Sequence, residues 1–423
     1  MSLKEFNEVI GYEDVKIELE RIIDMMKNPK NYSDLGVTTT KGLLLHGEPG
    51  VGKTLLSKCF IKASKRPVFT IRKDLPDGDF IKFIKNSFEE AKLKEPSIVF
   101  LDDMDKFANG DRDHRNAEEF VTIQSCIDGC KDYEVFVIAT TNDLDAVPDS
   151  LLRVGRFDKT IVVENPTGED AAKIIKHYLQ GKKCSKDVDY KQIAKLLDGR
   201  SCAALETVIN EAGVYAGYEK RKEISMDDLV RSIMRIVYKS PEKINPKSSK
   251  EVLDQIAYHE AGHALVGEIL EPGSVNLVTI KEHDGNIGGF TSYTNNDDYF
   301  ANKKYMENRV MSLLAGKAAN EIVFGTTDVG SYYDLTQAFH VVKRFVLEYC
   351  EYGFNTYSDF SHRGFEELKD NETRLISYEI ERYYQETRKI LIQNRDKLDK
   401  LAKLLLKNKT LIESQVQAVL VSE

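Results

Sequence analysis

Residues 42–54 read GLLLHGEPGVGKT, and no other stretch restricts the architecture of the chain as much. A short apolar run, Leu43-Leu44-Leu45, leads into Gly47-Glu48-Pro49-Gly50-Val51-Gly52-Lys53-Thr54, and a helix follows. This is the GxxxxGK[ST] pattern in the strand–loop–helix setting that it requires. Glycines let the backbone wrap closely around phosphates, and the amides at the helix start point at negative charge. Lys53 is placed to reach β- and γ-phosphates, and Thr54 to ligate Mg²⁺. An ordinary Gly-rich turn is the competing reading, and the flanking strand and helix argue against it.

Further strands are expected downstream. Ser97–Leu101 is apolar and ends in Asp102-Asp103. Carboxylates at the carboxyl end of a buried parallel strand lie beside the phosphate loop. Asp102 can hold the magnesium shell, and Asp103 can orient an attacking water or stand as a solvated acid. Val135–Ala139 leads to Asn142, which can present its amide to a γ-phosphate or to water. Arg153 and Arg156 follow in LLRVGRFD; they suit transition-state charge in a neighbouring subunit, with surface ion pairing as the alternative. Strands alternating with helices predict a doubly wound parallel sheet. Residues 168–238 read as amphipathic helices with no further buried strand, a small helical lid. The best linker candidate is KSPEKINPKSSK at 239–250.

The second half centres on His259-Glu260-Ala261-Gly262-His263. Residues four apart share one face of a helix, so both imidazoles can hold a tetrahedral zinc, with room for a third protein ligand and a water. Glu260 then sits where it can take a proton from that water. The flanks, EVLDQIAYHEAGHALVGEIL, carry apolar residues near helical spacing, and Glu271-Pro272-Gly273 ends the helix. Candidates for the third ligand are Asp334 and His340, about 240° apart around one helix, so only one can face the metal. Asp334 is favoured because an acid at a helix start also suits the dipole; His340 is read as packed or solvated. Glu321 suits either a hydrogen bond to a ligating imidazole or a surface ion pair. VNLVTI and GGFTSYT, around a Gly-rich turn, predict a small sheet edge near the metal, suited to adding a peptide strand. Everything after about residue 303 is helical in pattern, down to Leu420.

Composition narrows the function classes. With 423 residues the chain is long enough for two or three domains. A net charge of −9 argues against non-specific nucleic-acid binding. No run approaches the roughly 18 apolar residues of a membrane span. Six scattered cysteines without a paired CxxC fit reduced thiols in the cytoplasm.

In this order, FNEVIGYEDVK, GEPGVGKT, FLDDMD, ATTN, LLRVGRFD, AYHEAGHALVG and YYDLTQA resemble the FtsH family of AAA+ zinc proteases over nearly the whole chain. The resemblance implies an α/β P-loop AAA+ ATPase, with parallel sheet and helical lid, followed by a mainly α-helical zinc-peptidase domain. The expected boundaries are 1–165, 166–240, a linker at 241–250, and 251–423. It implies a homo-hexameric ring acting on polypeptide substrates, with ATP, Mg²⁺ and Zn²⁺. Carried over by position, Gly47, Glu48, Pro49, Gly50, Val51, Gly52, Lys53, Thr54, Leu55, Asp102 and Asn142 serve ATP, and Arg153 and Arg156 act across the subunit interface. Ile10 and Gly11 fall at the adenine-side positions, and Cys202 and Ala203 where the lid meets the nucleotide. His259, His263 and Asp334 hold zinc, with Glu260 as general base.

Three departures stand out. The transmembrane segments of the family are absent, so a cytoplasmic protein is expected, or one anchored through an N-terminal segment outside this chain. Asp103 stands where the family has Glu, which retracts the carboxylate by about 1.5 Å; misplacement near 1 Å can cost about a hundredfold. The family's aromatic-Val-Gly pore segment is replaced by RKDLPDGDFIKFIKNS, shortened, with Phe80 and Phe83 as its aromatics. The leading reading is an ATP-dependent zinc endopeptidase. A zinc peptidase on a barely hydrolysing scaffold and a non-proteolytic remodelling ATPase are the competitors.

Overall fold

In the structure, a computed structural model, the chain divides into two compact units, Met1–Ser225 and Met226–Glu423. It describes residues 3–74, 76–107, 117–242, 249–282, 288–294, 302–327, 330–349, 351–353 and 370–421. Most of the expected linker, at 243–248, the Gly-rich turn at 283–287 and Leu75 of the pore segment lie outside these residues.

The first unit runs α1 (Glu13–Lys27), α2 (Pro29–Ser33), β1 (Gly42–His46), α3 (Lys53–Ser64), β2 (Val68–Ile71), α4 (Asp77–Leu93), β3 (Ser97–Leu101), α5 (Ala117–Asp128), β4 (Val135–Thr141), β5 (Lys159–Val162), α6 (Gly168–Leu179), α7 (Tyr190–Leu196) and α8 (Cys202–Tyr218). Its five strands pair in parallel in the order β2-β3-β4-β1-β5. The apolar runs of β1, β3 and β4 are buried on both faces, as a covered parallel sheet demands. Alternate side chains go to opposite cores. Leu44, Val99 and Val137 meet Ile84 and Phe88 of α4 and Ile123 of α5. Leu43, Leu45, Ile98 and Phe136 meet Leu19 of α1 and Phe60 of α3. The carboxyl ends of β1, β3 and β4 therefore converge on one edge.

The aromatics of the pore segment serve this core. Phe80 is fully buried, 5.3 Å from the Phe107 ring centroid, and Phe83 packs on the same cluster. Helical spacing along α4 turns both inward, so Phe80 is no surface grip.

The second unit begins with α9 (Met226–Ile236). Tyr238 follows α9 and packs on Phe290 and Ser292 of the same unit. Its ring lies 4.6 Å from that of Phe290, and its hydroxyl is 3.4 Å from Ser292 Oγ. Then come α10 (Lys250–Leu270), β6 (Val275–Thr279), β7 (Phe290–Tyr293), α11 (Lys303–Phe324), α12 (Ser331–Leu347), α13 (Asp370–Gln393), α14 (Arg395–Asn408), β8 (Thr410–Ile412) and α15 (Glu413–Val421). Ser249 caps α10, accepting the Val252 amide at 3.3 Å. The middle of α10 is sunk in the core, where Ala257, Ala261, Ala264 and Leu265 meet α11 and α14 residues such as Leu314, Ala318 and Leu401. Small side chains permit that close approach. The sheet has the order β7-β6-β8, with β6 antiparallel to both neighbours. β8 corrects the expectation that all chain beyond residue 303 is helical. Lys409, at φ 69°, ends α14 and turns the chain, and three residues are too few to display a two-residue period.

Candidate active sites

The phosphate loop joins β1 to α3, and its lysine is already anchored. Lys53 Nζ donates to the carbonyls of Gly47 at 2.7 Å and Glu48 at 2.8 Å, and to Asn142 Oδ1 at 2.9 Å. Asn142 is oriented from its other side by Asp105, which accepts from its backbone and side-chain nitrogens at 3.3 Å. Burial pulls the Lys53 ammonium below its ordinary value, against Asp103, Asp105 and Asp102, which raise it. Asp102, at the end of β3, accepts from Thr54 Oγ1 and Thr140 Oγ1, both at 3.0 Å. Thr54 and Asp102 thus share one spot, as two oxygen ligands of a magnesium shell must.

Asp103 has left-handed backbone angles, φ 55° and ψ 54°, unusual for a residue with a side chain and costing about 1–3 kcal/mol where they occur. Thr140 Oγ1 accepts its amide at 2.9 Å and helps hold that shape. Lys106 Nζ donates to Asp103 Oδ2 at 2.6 Å, and Arg72 comes within 3.8 Å of the same oxygen.

Of the two residues expected on the adenine side, Gly11 is buried and Ile10 half-buried. The adjoining Tyr12 amide donates to Asp170 Oδ2 at 3.0 Å, and the Tyr12 hydroxyl sits 3.4 Å from Cys202 Sγ. Cys202 Sγ contacts the Val51 carbonyl at 3.7 Å, and the Ala203 amide donates to the Gly50 carbonyl at 3.1 Å. The segment at 10–12, the phosphate loop and the start of α8 therefore form one cradle. Pro49 and Gly50 are exposed, as is Leu55 in the first turn of α3. Glu48 is tied down by Asn165 at 2.8 Å.

The two arginines separate. Arg153 is exposed. Arg156 is held in its own chain: Nε and Nη2 donate to the two Asp128 oxygens at 3.1 and 2.8 Å, and Nη1 bonds the Ser150 carbonyl. A planar guanidinium matches a carboxylate in this forked way.

In the second unit, His259 and His263 lie one turn apart on α10, and Asp334 sits in the first turn of α12. His259 Nε2 is 3.0 Å from His263 Nε2, and Asp334 Oδ2 is 3.1 and 3.2 Å from those two nitrogens. For metal–ligand bonds near 2.05 Å, a tetrahedron has edges of roughly 3.3 Å. The three donor atoms form one face of such a figure, so they fit zinc. His263 Nδ1 donates to the Ser312 carbonyl at 2.7 Å, which fixes Nε2 as the ligating nitrogen. Burial alone would raise the Asp334 carboxyl, but the two imidazoles outweigh it and hold it well below the usual carboxylate range. Glu260 is buried, which pushes its carboxyl up; His259, His263 and the Thr291 hydroxyl oppose that shift.

His340 is exposed, and Glu321 turns to Lys317, Tyr384 and Arg388 rather than to the metal ligands. The ion-pair alternative for Glu321 therefore holds.

Three contributors escaped the sequence reading. The Ser312 carbonyl is a backbone group and carries no residue signal. Thr291 Oγ1 donates to Glu260 Oε2 at 2.9 Å, from a strand distant in sequence. Gly316 on α11 lies against both imidazoles: a Cβ there would come within 2.5 Å of His259 Nε2 and His263 Nε2. A glycine inside an otherwise regular helix was the available signal.

A phosphate loop on a five-stranded parallel sheet, followed by a separate His-His-Asp centre with a buried glutamate, defines an ATPase joined to a zinc metallopeptidase. Comparison with known proteins agrees. Residues 43–165 match the ATPase family associated with various cellular activities (AAA), 187–231 the AAA+ lid domain, and 246–419 peptidase family M41. The chain is 31% identical over 440 residues to ATP-dependent zinc metalloprotease FtsH 1 of Phytoplasma mali, covering 100% of this chain and 71% of that protein. FtsH 3 of Symbiobacterium thermophilum is 32% identical over 448 residues, 98% of this chain and 71% of the relative. FtsH of Bacillus subtilis is 31% identical over 447 residues, 97% and 69% respectively. The chain belongs to the FtsH family of ATP-dependent zinc metalloproteases.

Proposed function

We infer that the chain is an endopeptidase that cuts unfolded or marginally stable polypeptides, working as a ring of six copies with ATP bound between them. The observation that carries this reading is the convergence of His259, His263 and Asp334 beside the buried Glu260. Bound zinc supplies Lewis acidity, polarising the scissile carbonyl and making water a better nucleophile. Glu260 takes a proton from the attacking water as oxygen bonds to the carbonyl carbon. It then gives that proton to the amine nitrogen as the C–N bond breaks. β7 is the outer strand of its sheet, and an extended substrate can add to that edge.

In the first unit, the loop from Gly47 to Leu55 cradles phosphate, Lys53 neutralises the β- and γ-phosphates, and Thr54 and Asp102 hold Mg²⁺. Asn142 orients the γ-phosphate or water, and Asp103 orients the attacking water. Ile10, Gly11, Cys202 and Ala203 face the nucleoside. Arg153 reaches the neighbouring copy, while Arg156 shapes the turn that presents it. The expected domains, 1–165, 166–240 and 251–423, remain part of this reading. It places the activity in the cytoplasm, with anchoring through a segment outside this chain as the alternative; no described helix is long and apolar enough to cross a membrane.

A second reading, a zinc peptidase on a weakly hydrolysing scaffold, draws support from Asp103. Its carboxylate is shorter than the family's glutamate and is paired with Lys106. Steady-state ATP turnover and casein cleavage separate the readings. The leading one requires Lys53→Ala to abolish ATP turnover and slow cleavage, and Glu260→Gln to keep zinc while losing cleavage. Cleavage unaffected by Lys53→Ala favours the scaffold reading, and cleavage by Glu260→Gln removes Glu260 from its role.

A further inference from the structure

Glu260 is one residue from a metal ligand, and its buried carboxylate must present one oxygen to water without swinging away. What holds it is not on its own helix. Thr291 Oγ1, from β7, donates to Glu260 Oε2 at 2.9 Å, with the Glu260 carbonyl at 3.3 Å. A hydroxyl carries one proton, so the shorter contact takes it, and Oε2 is occupied. Oε1 is the carboxylate oxygen that this hydroxyl does not hold.

β7 is fixed firmly enough to aim that hydroxyl. It pairs with β6 from Phe290 to Tyr293. The buried Tyr293 hydroxyl donates to the His263 carbonyl at 3.1 Å, stapling the strand to the zinc-ligand helix a second time. Burial pushes the Tyr293 phenol up, which keeps it a donor. Phe290 is braced by the Tyr238 ring at 4.6 Å. At Gly289 the backbone passes so close that a Cβ would lie 2.7 Å from Glu260 Cγ. Gly289, just before the strand, and Thr291 within it therefore both lie beside the Glu260 side chain.

We propose that Thr291 is a positioning residue for peptide hydrolysis: its hydroxyl locks Glu260 Oε2 and so turns Oε1 toward the attacking water. The proposal rests on Glu260 being the general base. A carboxylate turned out of place by about 1 Å can lose about a hundredfold in rate. Because the hydroxyl is directed at Glu260 and is not one of the three metal-binding groups, its loss is expected to act on kcat and to leave KM and zinc content alone.

The test uses the full chain with zinc bound, in three variants. Thr291→Val keeps the shape and removes the donor; Thr291→Ser keeps the donor; Thr291→Ala removes it without adding a second methyl. Expected for Val and Ala is a fall in kcat of about 10- to 100-fold with KM within about twofold, and about one zinc per chain by elemental analysis. Ser is expected to stay within about threefold of the parent, because the donor is kept. A readout without turnover is calorimetric binding of a peptide hydroxamate, whose proton must pass to a correctly turned carboxylate; it weakens in Val and Ala and not in Ser. In a Glu260→Gln background, Thr291→Val adds no further loss. Unchanged kcat and hydroxamate affinity in Val and Ala, loss of zinc in both, or a Ser variant as poor as Val each overturns the proposal. If Glu260→Gln itself cleaves peptide at the parent rate, the base assignment fails instead, and the Thr291 variants are then flat.

Discussion

Removing the Asp334 carboxylate takes away the one acidic corner of the donor triangle and leaves two imidazole nitrogens 3.0 Å apart to share a metal. Asp334→Ala should reduce zinc from about one per chain to a small fraction and abolish cleavage, since a catalytic site needs three protein ligands. His340→Ala should change neither, because His340 is exposed on the same helix; elemental analysis of both variants checks this. A second expectation concerns the clasp on Asp103. Lys106 is half exposed, and such a pair is worth at most about 1 kcal/mol. Lys106→Ala should therefore raise ATP turnover by about fivefold or less, by freeing the carboxylate for water. Added salt should raise turnover in the parent more than in the variant. A fall in the variant would show that Lys106 assists hydrolysis rather than restrains it.

Elements decide how much of this was readable beforehand. β1, β3 and β4 are apolar and buried on both faces, so their sequences announced them. β2 and β5 are four-residue strands at the sheet edges and partly exposed; VFTI and KTIV are strand-forming in composition but too short to stand out as a buried run. The HEAGH helix was legible through its own period, and Asp334 through its place at the start of α12. Thr291, Gly316 and the Ser312 carbonyl were not, because each becomes relevant only when β7 and α11 fold against α10. In the pore segment, where the sequence left the role of the aromatics open, Phe80 lies on a buried helix face. Gly316 offers the test at this scale. Gly316→Ala should preserve α11, since alanine favours helix by about 1 kcal/mol. It should nonetheless weaken zinc affinity by about 10- to 100-fold by pushing the imidazoles apart. Competition with a chromophoric chelator measures it; unchanged affinity would mean the helices can move apart freely.

At the scale of the whole molecule, the arginines distinguish folding from assembly. Arg156→Ala breaks a forked, partly buried ion pair with Asp128 and should lower the melting temperature of the first unit's transition. Arg153→Ala should leave that temperature alone yet cut ATP turnover at least about tenfold, if its guanidinium serves a neighbour. Mixing it with Lys53→Ala subunits should restore part of the rate; no restoration at any ratio would argue against sites shared between copies. The chain combines an intact hydrolytic centre with a shortened Asp103 and pore aromatics committed to the core. Pulling apart a stable domain must overcome about 5–15 kcal/mol, which demands repeated turnover and a firm hold. The most direct measurement is the ATP-supported degradation rate of one tagged domain in its stable form and as a destabilised core variant. The destabilised form should disappear at least about tenfold faster, as expected when the open population sets the rate. Equal rates for the two forms would show that active unfolding is intact and would contradict the account.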